Sequence, residues 1–154
     1  MSSKVISLIK ICIFILFIAI IFSIGFAKVN GDSMNPTLNN NDVIIYKKVK
    51  NVQRFDIIIF KVNNELFIKR VIGLSGDKIE YINNTLFVND KVIDENFQKS
   101  ITKDFTTMDI TSDGTIPQNK LLVLGDNRLF SHDSRDFGLI DISNVVGKMI
   151  IKVA

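Results

Sequence analysis

Cysteine and histidine are nearly absent from this 154-residue chain, which has one of each. Cys12 stands alone in the apolar N-terminal stretch, so no intramolecular disulfide can form. With His132 as the only histidine, a Cys/His zinc site lacks its ligands, and no metal is expected. A strong excess of one sign of charge is also missing. The net charge is +3 and the pI is near 9.0, compatible with anionic lipid headgroups or acidic partners but short of what nucleic-acid binding requires. The local basic run Lys47, Lys48, Lys50 and Arg54 reads as a solvated face. Helical periodicity is missing outside one N-terminal segment, and no repeat or flexible linker divides the remainder of the chain.

That segment carries the longest uncharged run. Residues 11–27 read ICIFILFIAIIFSIGFA, seventeen positions without a charge. As a helix they cover roughly 26 Å of a hydrocarbon layer about 30 Å thick, so one membrane span is expected. Lys4 and Lys10 precede it, which places the short tail in the cytoplasm and everything after Ala27 outside. The competing reading is a cleavable leader, because Gly25-Phe26-Ala27 offers small residues at processing positions. An apolar run of seventeen exceeds the usual leader core of about 7–15 residues, which favours an uncleaved anchor over residues 1–27 and one extracytoplasmic domain over 28–154.

After the anchor come short apolar runs separated by Asn, Asp and Gly. The pattern predicts strands at 43–50, 56–62, 66–73, 78–82, 85–88, 91–93, 121–125 and 145–153, with Asn83-Asn84 and Asn89-Asp90 as hairpin turns. Because strands succeed one another without helical crossovers, the domain is expected to be mainly β and antiparallel, barrel-like or sandwich-like. Residues 94–117 are polar and poorly patterned, an excursion loop or a short β insertion.

Three places carry candidate chemistry. Gly31-Asp32-Ser33-Met34-Asn35-Pro36 is a turn by composition, yet a serine on such a turn becomes a nucleophile if a base takes its proton and backbone N–H groups receive an oxyanion. Lys69 lies inside an otherwise apolar strand. An edge lysine reaching to solvent is the bland alternative; alternation, however, puts Phe67, Lys69 and Val71 on one face and Leu66, Ile68, Arg70 and Ile72 on the other. Both faces are mainly apolar, so at least one cation is expected to be buried. A desolvated lysine sheds its proton more readily and can serve as the base for Ser33; a desolvated Arg70 requires a carboxylate. The third place, Gly125 to Gly138, is dense in Asp, Asn, Ser and Arg: either a solvated loop or a self-paired scaffold around a site. His132 within it also permits a Ser/His/Asp reading with Ser33 and Asp133.

Taken in order, the blocks Gly31-Asp32-Ser33-Met34-Asn35-Pro36-Thr37-Leu38, Asp56 to Phe60, Lys69-Arg70-Val71-Ile72-Gly73-Leu74-Ser75-Gly76-Asp77 and Gly125-Asp126-Asn127-Arg128 through Gly138 closely resemble the type I signal peptidases, membrane-bound Ser/Lys endopeptidases of bacteria. The resemblance implies a single transmembrane helix followed by an antiparallel β catalytic domain of the signal-peptidase type, with its accessory β domain much reduced. It implies Ser33 as nucleophile, Lys69 as general base and Ser131 as the residue orienting the lysine amine. Asp126 would pair with Arg70, while Asp133 and Arg135 would brace the site. Met34, Leu38 and Ile68 match positions near pockets for small side chains at substrate positions −1 and −3. The implied partners are signal peptides of preproteins and the lipid bilayer, with no cofactor. Three positions depart from the usual pattern: Ser75 where many relatives have proline, Phe55 where they have glycine, and Gly31 where some carry a serine that completes the oxyanion hole.

Overall fold

The computed structural model describes residues 3–49 and 51–153, so Lys50, the expected end of one strand, lies outside the described residues. A helix, α1 (Ser3–Ser23), opens the chain. Then come β1 (Ile24–Lys28), β2 (Val43–Lys47), β3 (Ile57–Val62), β4 (Glu65–Gly73), β5 (Ile79–Ile82), β6 (Thr85–Val88), β7 (Lys91–Ile93) and β8 (Phe105–Thr106). The final part holds β9 (Lys120–Leu124), a short helix α2 (Ser134–Phe137), β10 (Ile140–Asp141) and β11 (Val145–Lys152).

The strands make two antiparallel sheets, a seven-stranded one ordered β1-β2-β11-β3-β4-β9-β10 and a four-stranded one ordered β7-β6-β5-β8. Tight asparagine turns set the hairpin registers. Asn83 and Asn84 take φ of 49° and 66°, and Asn89 and Asp90 take 50° and 65°, the left-handed pair that a two-residue hairpin needs. Asn63 and Asn64 do the same between β3 and β4. In the middle of the large sheet, Ile57 to Phe60 are buried on both faces, which explains a strand written as an uninterrupted apolar run.

One expectation is corrected at the N-terminus. The apolar run 11–27 is not one element: the helix stops at Ser23, and Ile24–Lys28 pairs in register with β2, from Ile24 opposite Lys47 to Lys28 opposite Val43. Gly25 permits this, since a Cβ there would fall 2.3 Å from the Tyr46 ring. Apolarity alone does not separate a lipid-facing helix from a sheet-bound strand. Among the described residues no helix is long and apolar enough to cross a membrane.

The stretch 94–117 is less of a loop than its composition suggests. It supplies β8, a 3-10 turn at Thr107–Asp109 that begins with a capping box, and a bridge from Thr115 to Lys78. The small sheet packs through Ile79, Tyr81, Leu86 and Val88 onto Ile72, Leu122 and Leu124 of the large one, so the two share a core.

Candidate active site

Ser33 lies on the turn after β1. Gly31, at φ 85°, reverses the chain, and its amide donates to Asn40 Oδ1 at 3.0 Å. The turn is pinned from the far end of the sequence: Asn127 N donates to the Ser33 carbonyl at 3.0 Å, and Asn127 Nδ2 to the Asp32 carbonyl at 3.1 Å. Both expected inward faces of β4 are realised, with Lys69 only 3% exposed and Arg70 7%. Lys69 Nζ reaches to 2.6 Å from Ser33 Oγ. Burial pulls the amine down to about 8, against the opposing pull of the Asp133 and Asp126 carboxylates. A base of that strength, in contact with a hydroxyl, can take its proton near neutral pH.

Arg70, on the opposite face of β4, grips both oxygens of Asp126 at 2.8 and 2.6 Å, which supplies the carboxylate its burial demands. The Thr37 hydroxyl donates to the same carboxylate, tying the serine turn to the β9 loop. Asp133 is fully buried and caps α2. It accepts from the Gly125 amide at 3.0 Å and from two nitrogens of Arg135, both at 2.8 Å. Burial alone would push its carboxyl up, yet these donors hold it below the usual value. Ser131 Oγ is buried with no hydrogen-bond partner of ordinary geometry among the described residues, although it lies close enough to Asp133 to help hold that carboxyl down. Gly125 sits between the two serines: a Cβ there would meet Ser131 Oγ at 2.2 Å and the Ser33 carbonyl oxygen at 2.3 Å.

A cleft of about 510 Å³ opens beside the pair, lined by Phe26 to Asn30, Ser33, Met34 and Glu65 to Lys69 among others. Met34 and Ile68 line it. Leu38 does not; it is fully buried in the cluster of Val29, Met34, Ile44, Ile57 and Ile59, because the turn that bonds Leu38 N to the Met34 carbonyl aims its side chain inward. His132 stands on the rim with an exposed ring, 3.5 Å from Asp136 and edge-on to Phe137. Since Asp133 is occupied by Gly125 and Arg135, the Ser/His/Asp alternative does not assemble.

One buried group, though part of the Gly125–Arg128 block, has no role assigned to it by the sequence. Arg128, 2% exposed, donates to the Gly125 carbonyl at 3.0 Å, Tyr81 Oη at 2.9 Å, Thr102 Oγ1 at 2.6 Å and Glu95 Oε1 at 2.5 Å. Its partners lie on β5, in the segment between β7 and β8 and in its own loop after β9, and no local pattern joins them. Phe55, at φ 72°, and Phe97 likewise meet only in three dimensions.

Comparison with known proteins identifies the family. The family model described as signal peptidase, peptidase S26, matches residues 2–154. The chain is 42% identical over 135 residues to signal peptidase I of Bacillus caldolyticus, covering 79% of this chain and 74% of that protein. It is 39% identical to signal peptidase IB of Staphylococcus aureus, covering 92% and 83% respectively. A crystal structure of a signal peptidase I from Enterococcus faecalis superposes with a TM-score of 0.60 at 36% identity, covering 66% of this chain and 99% of that one. Sequence and fold together place the chain in the signal peptidase family, peptidase S26, as a hydrolase of the serine peptidase class.

Proposed function

We propose that the chain removes signal peptides from translocated preproteins, with Ser33 as nucleophile and Lys69 as general base. The observation that carries this reading is the 2.6 Å approach of a buried lysine amine to a serine hydroxyl at the wall of an open cleft. An extended substrate adds beside β4, whose stretch Glu65–Lys69 is paired by β3 on one side while β9 covers only Arg70–Gly73 on the other. Met34 and Ile68 form the pockets for small side chains at −1 and −3, with Leu38 shaping them from behind.

Neutral Lys69 takes the Ser33 proton as Oγ adds to the carbonyl carbon of the −1 residue. The backbone N–H of Ser33 receives the oxyanion, since Gly31 brings no hydroxyl to that task. When the C–N bond breaks, Lys69 gives the proton to the leaving amine. Water, deprotonated by Lys69, then adds to the acyl ester, and Ser33 departs with that proton. Ser131, whose buried Oγ has no hydrogen-bond partner of ordinary geometry among the described residues, is assigned to orient the amine, while the Arg70–Asp126 pair fixes the loop beneath it and Asp133 with Arg135 braces that loop.

The helix α1 serves as the membrane anchor in this reading, with the tail in the cytoplasm. Along α1, Leu8, Ile11, Ile13, Phe14, Leu16 and Phe17 all expose their side chains, which gives the apolar surface that a bilayer would cover. Cleavage of a precursor by membrane-extracted Ser33→Ala and Lys69→Met chains tests the chemistry. A loss of about a thousandfold or more in each is expected, and wild-type rates in either would defeat it. For the anchor, the mass of the membrane-extracted chain should include residues before Lys28; a mature chain beginning at Lys28 would refute it.

A further inference from the structure

Residues 95–102 leave the small sheet and lie across the loop after β9. The Phe97 ring covers the Arg70 guanidinium at 3.8 Å and meets Phe55 edge-on at 5.3 Å. Glu95 accepts from Arg128 at 2.5 Å and from the Tyr81 hydroxyl at 2.7 Å. Ser100 N donates to the Asp126 carbonyl at 3.0 Å. Both cations framing Gly125 and Asp126 are therefore completed by this strap: Arg70, which holds the Asp126 carboxylate, and Arg128, which holds the Gly125 carbonyl.

We propose that Phe97 and Glu95 are positioning residues for the reaction, holding the Gly125–Asp126 loop against Ser33 through the two arginines. The proposal rests on Ser33 and Lys69 being the reacting pair. Glu95 is the carboxylate that compensates a fully buried guanidinium, and without it Arg128 would keep its charge with no other ion-pair partner among the described residues. Phe97 shields one face of Arg70 from water, so the arginine's fork stays on Asp126. Gly125 has no room for a methyl group between Ser131 Oγ and the Ser33 carbonyl, so a displacement of this loop reaches both serines directly. A looser loop admits water to the amine and restores its affinity for a proton.

The charges that bear on Lys69 are Asp133 and Asp126 on the loop, while the titratable groups Glu65 on its own strand and Lys28 and His132 line the same cleft. Substituting Phe97 changes none of these charges. A moved pH profile then reports geometry.

The test uses the full chain in detergent micelles, with kcat and KM for a signal-peptide substrate measured from about pH 6 to 10 beside the melting temperature. Phe97→Ala is expected to lower kcat about tenfold with KM within about twofold, and to move the acid limb up by about half a pH unit or more. Phe97→Tyr, which keeps the ring, should restore both. A folded Phe97→Ala chain with wild-type kcat and an unmoved limb overturns the proposal, as does a lowered melting temperature with an unmoved limb. If Phe97→Ala does not fold, Tyr81→Phe, which removes the hydroxyl between Glu95 and Arg128, is held to the same criteria. Lys69→Met is assayed alongside: activity retained there sinks the catalytic reading, whereas an unmoved Phe97 limb with Lys69→Met inactive sinks only the strap.

Discussion

Arg70 and Asp126 meet through two hydrogen bonds although 56 residues separate them, and the neighbour of Arg70 on the opposite strand face is the lysine that touches Ser33. One strand thus delivers a neutralised cation to one face and an uncompensated amine to the other. The amine's nearest carboxylates, Asp126 and Asp133, are each already held by an arginine. Lys69 accordingly feels their charge only in part, and burial prevails.

Activity should track the deprotonation of that amine. With the Lys69 value near 8, kcat/KM rises tenfold per pH unit below it and levels off above. A pH–rate profile of the peptide cleavage checks this. A flat profile from about pH 6 to 9 would remove Lys69 as the titrating base.

Stability should move with pH in the same region. The folded value lies below the ordinary lysine value of 10.5, so the unfolded chain binds more protons between the two. Lys69 therefore destabilises the fold fully below pH 8, and the penalty is relieved as pH rises toward 10.5. Its size is about 3 kcal/mol. Lys69→Met should accordingly raise the denaturation midpoint at pH 7 while abolishing cleavage, and a midpoint that falls would contradict the burial argument.

Breaking the Arg70–Asp126 pair should cost more than its surface equivalents. Asp126 is fully buried, so Arg70→Met leaves a carboxylate without its counter-charge and is expected to destabilise by about 3–5 kcal/mol. Chemical denaturation of the detergent-extracted chain measures it. A change under about 1 kcal/mol would mean that the pair is solvated in the folded chain.

Gly125→Ala should inactivate with little regard to the side chain's chemistry. The added methyl would overlap the Ser33 carbonyl oxygen, which is backbone and cannot rotate away. Loss of cleavage by about a hundredfold is expected in a chain that still folds, read from single-turnover rates. An active Gly125→Ala variant would show that Ser33 is not held by this contact.

Much of the architecture is written locally. Asn83-Asn84 and Asn89-Asp90 are turn pairs whose left-handed φ values fix the hairpins, and β6 and β7 fall at the expected residues. The unbroken Ile57–Phe60 run likewise marks a central strand. β1 is not separable from α1 by residue type, because Ile24 to Ala27 are as apolar as the helix before them, and only Tyr46 opposite Gly25 reveals a strand. The side chain of Leu38 points to the core rather than the cleft, a choice between two apolar destinations that residue type does not make.

Alternation and turn chemistry act within a few residues, and they suffice to specify a mainly β chain with an apolar helix at its head and a lysine whose strand neighbours on both faces demand burial. That Arg128 meets Glu95, and how closely Nζ approaches Oγ, came only with the folded arrangement. Those contacts join residues 33 and 36 positions apart, where the chain's own stiffness carries no information and only tertiary packing brings the partners together.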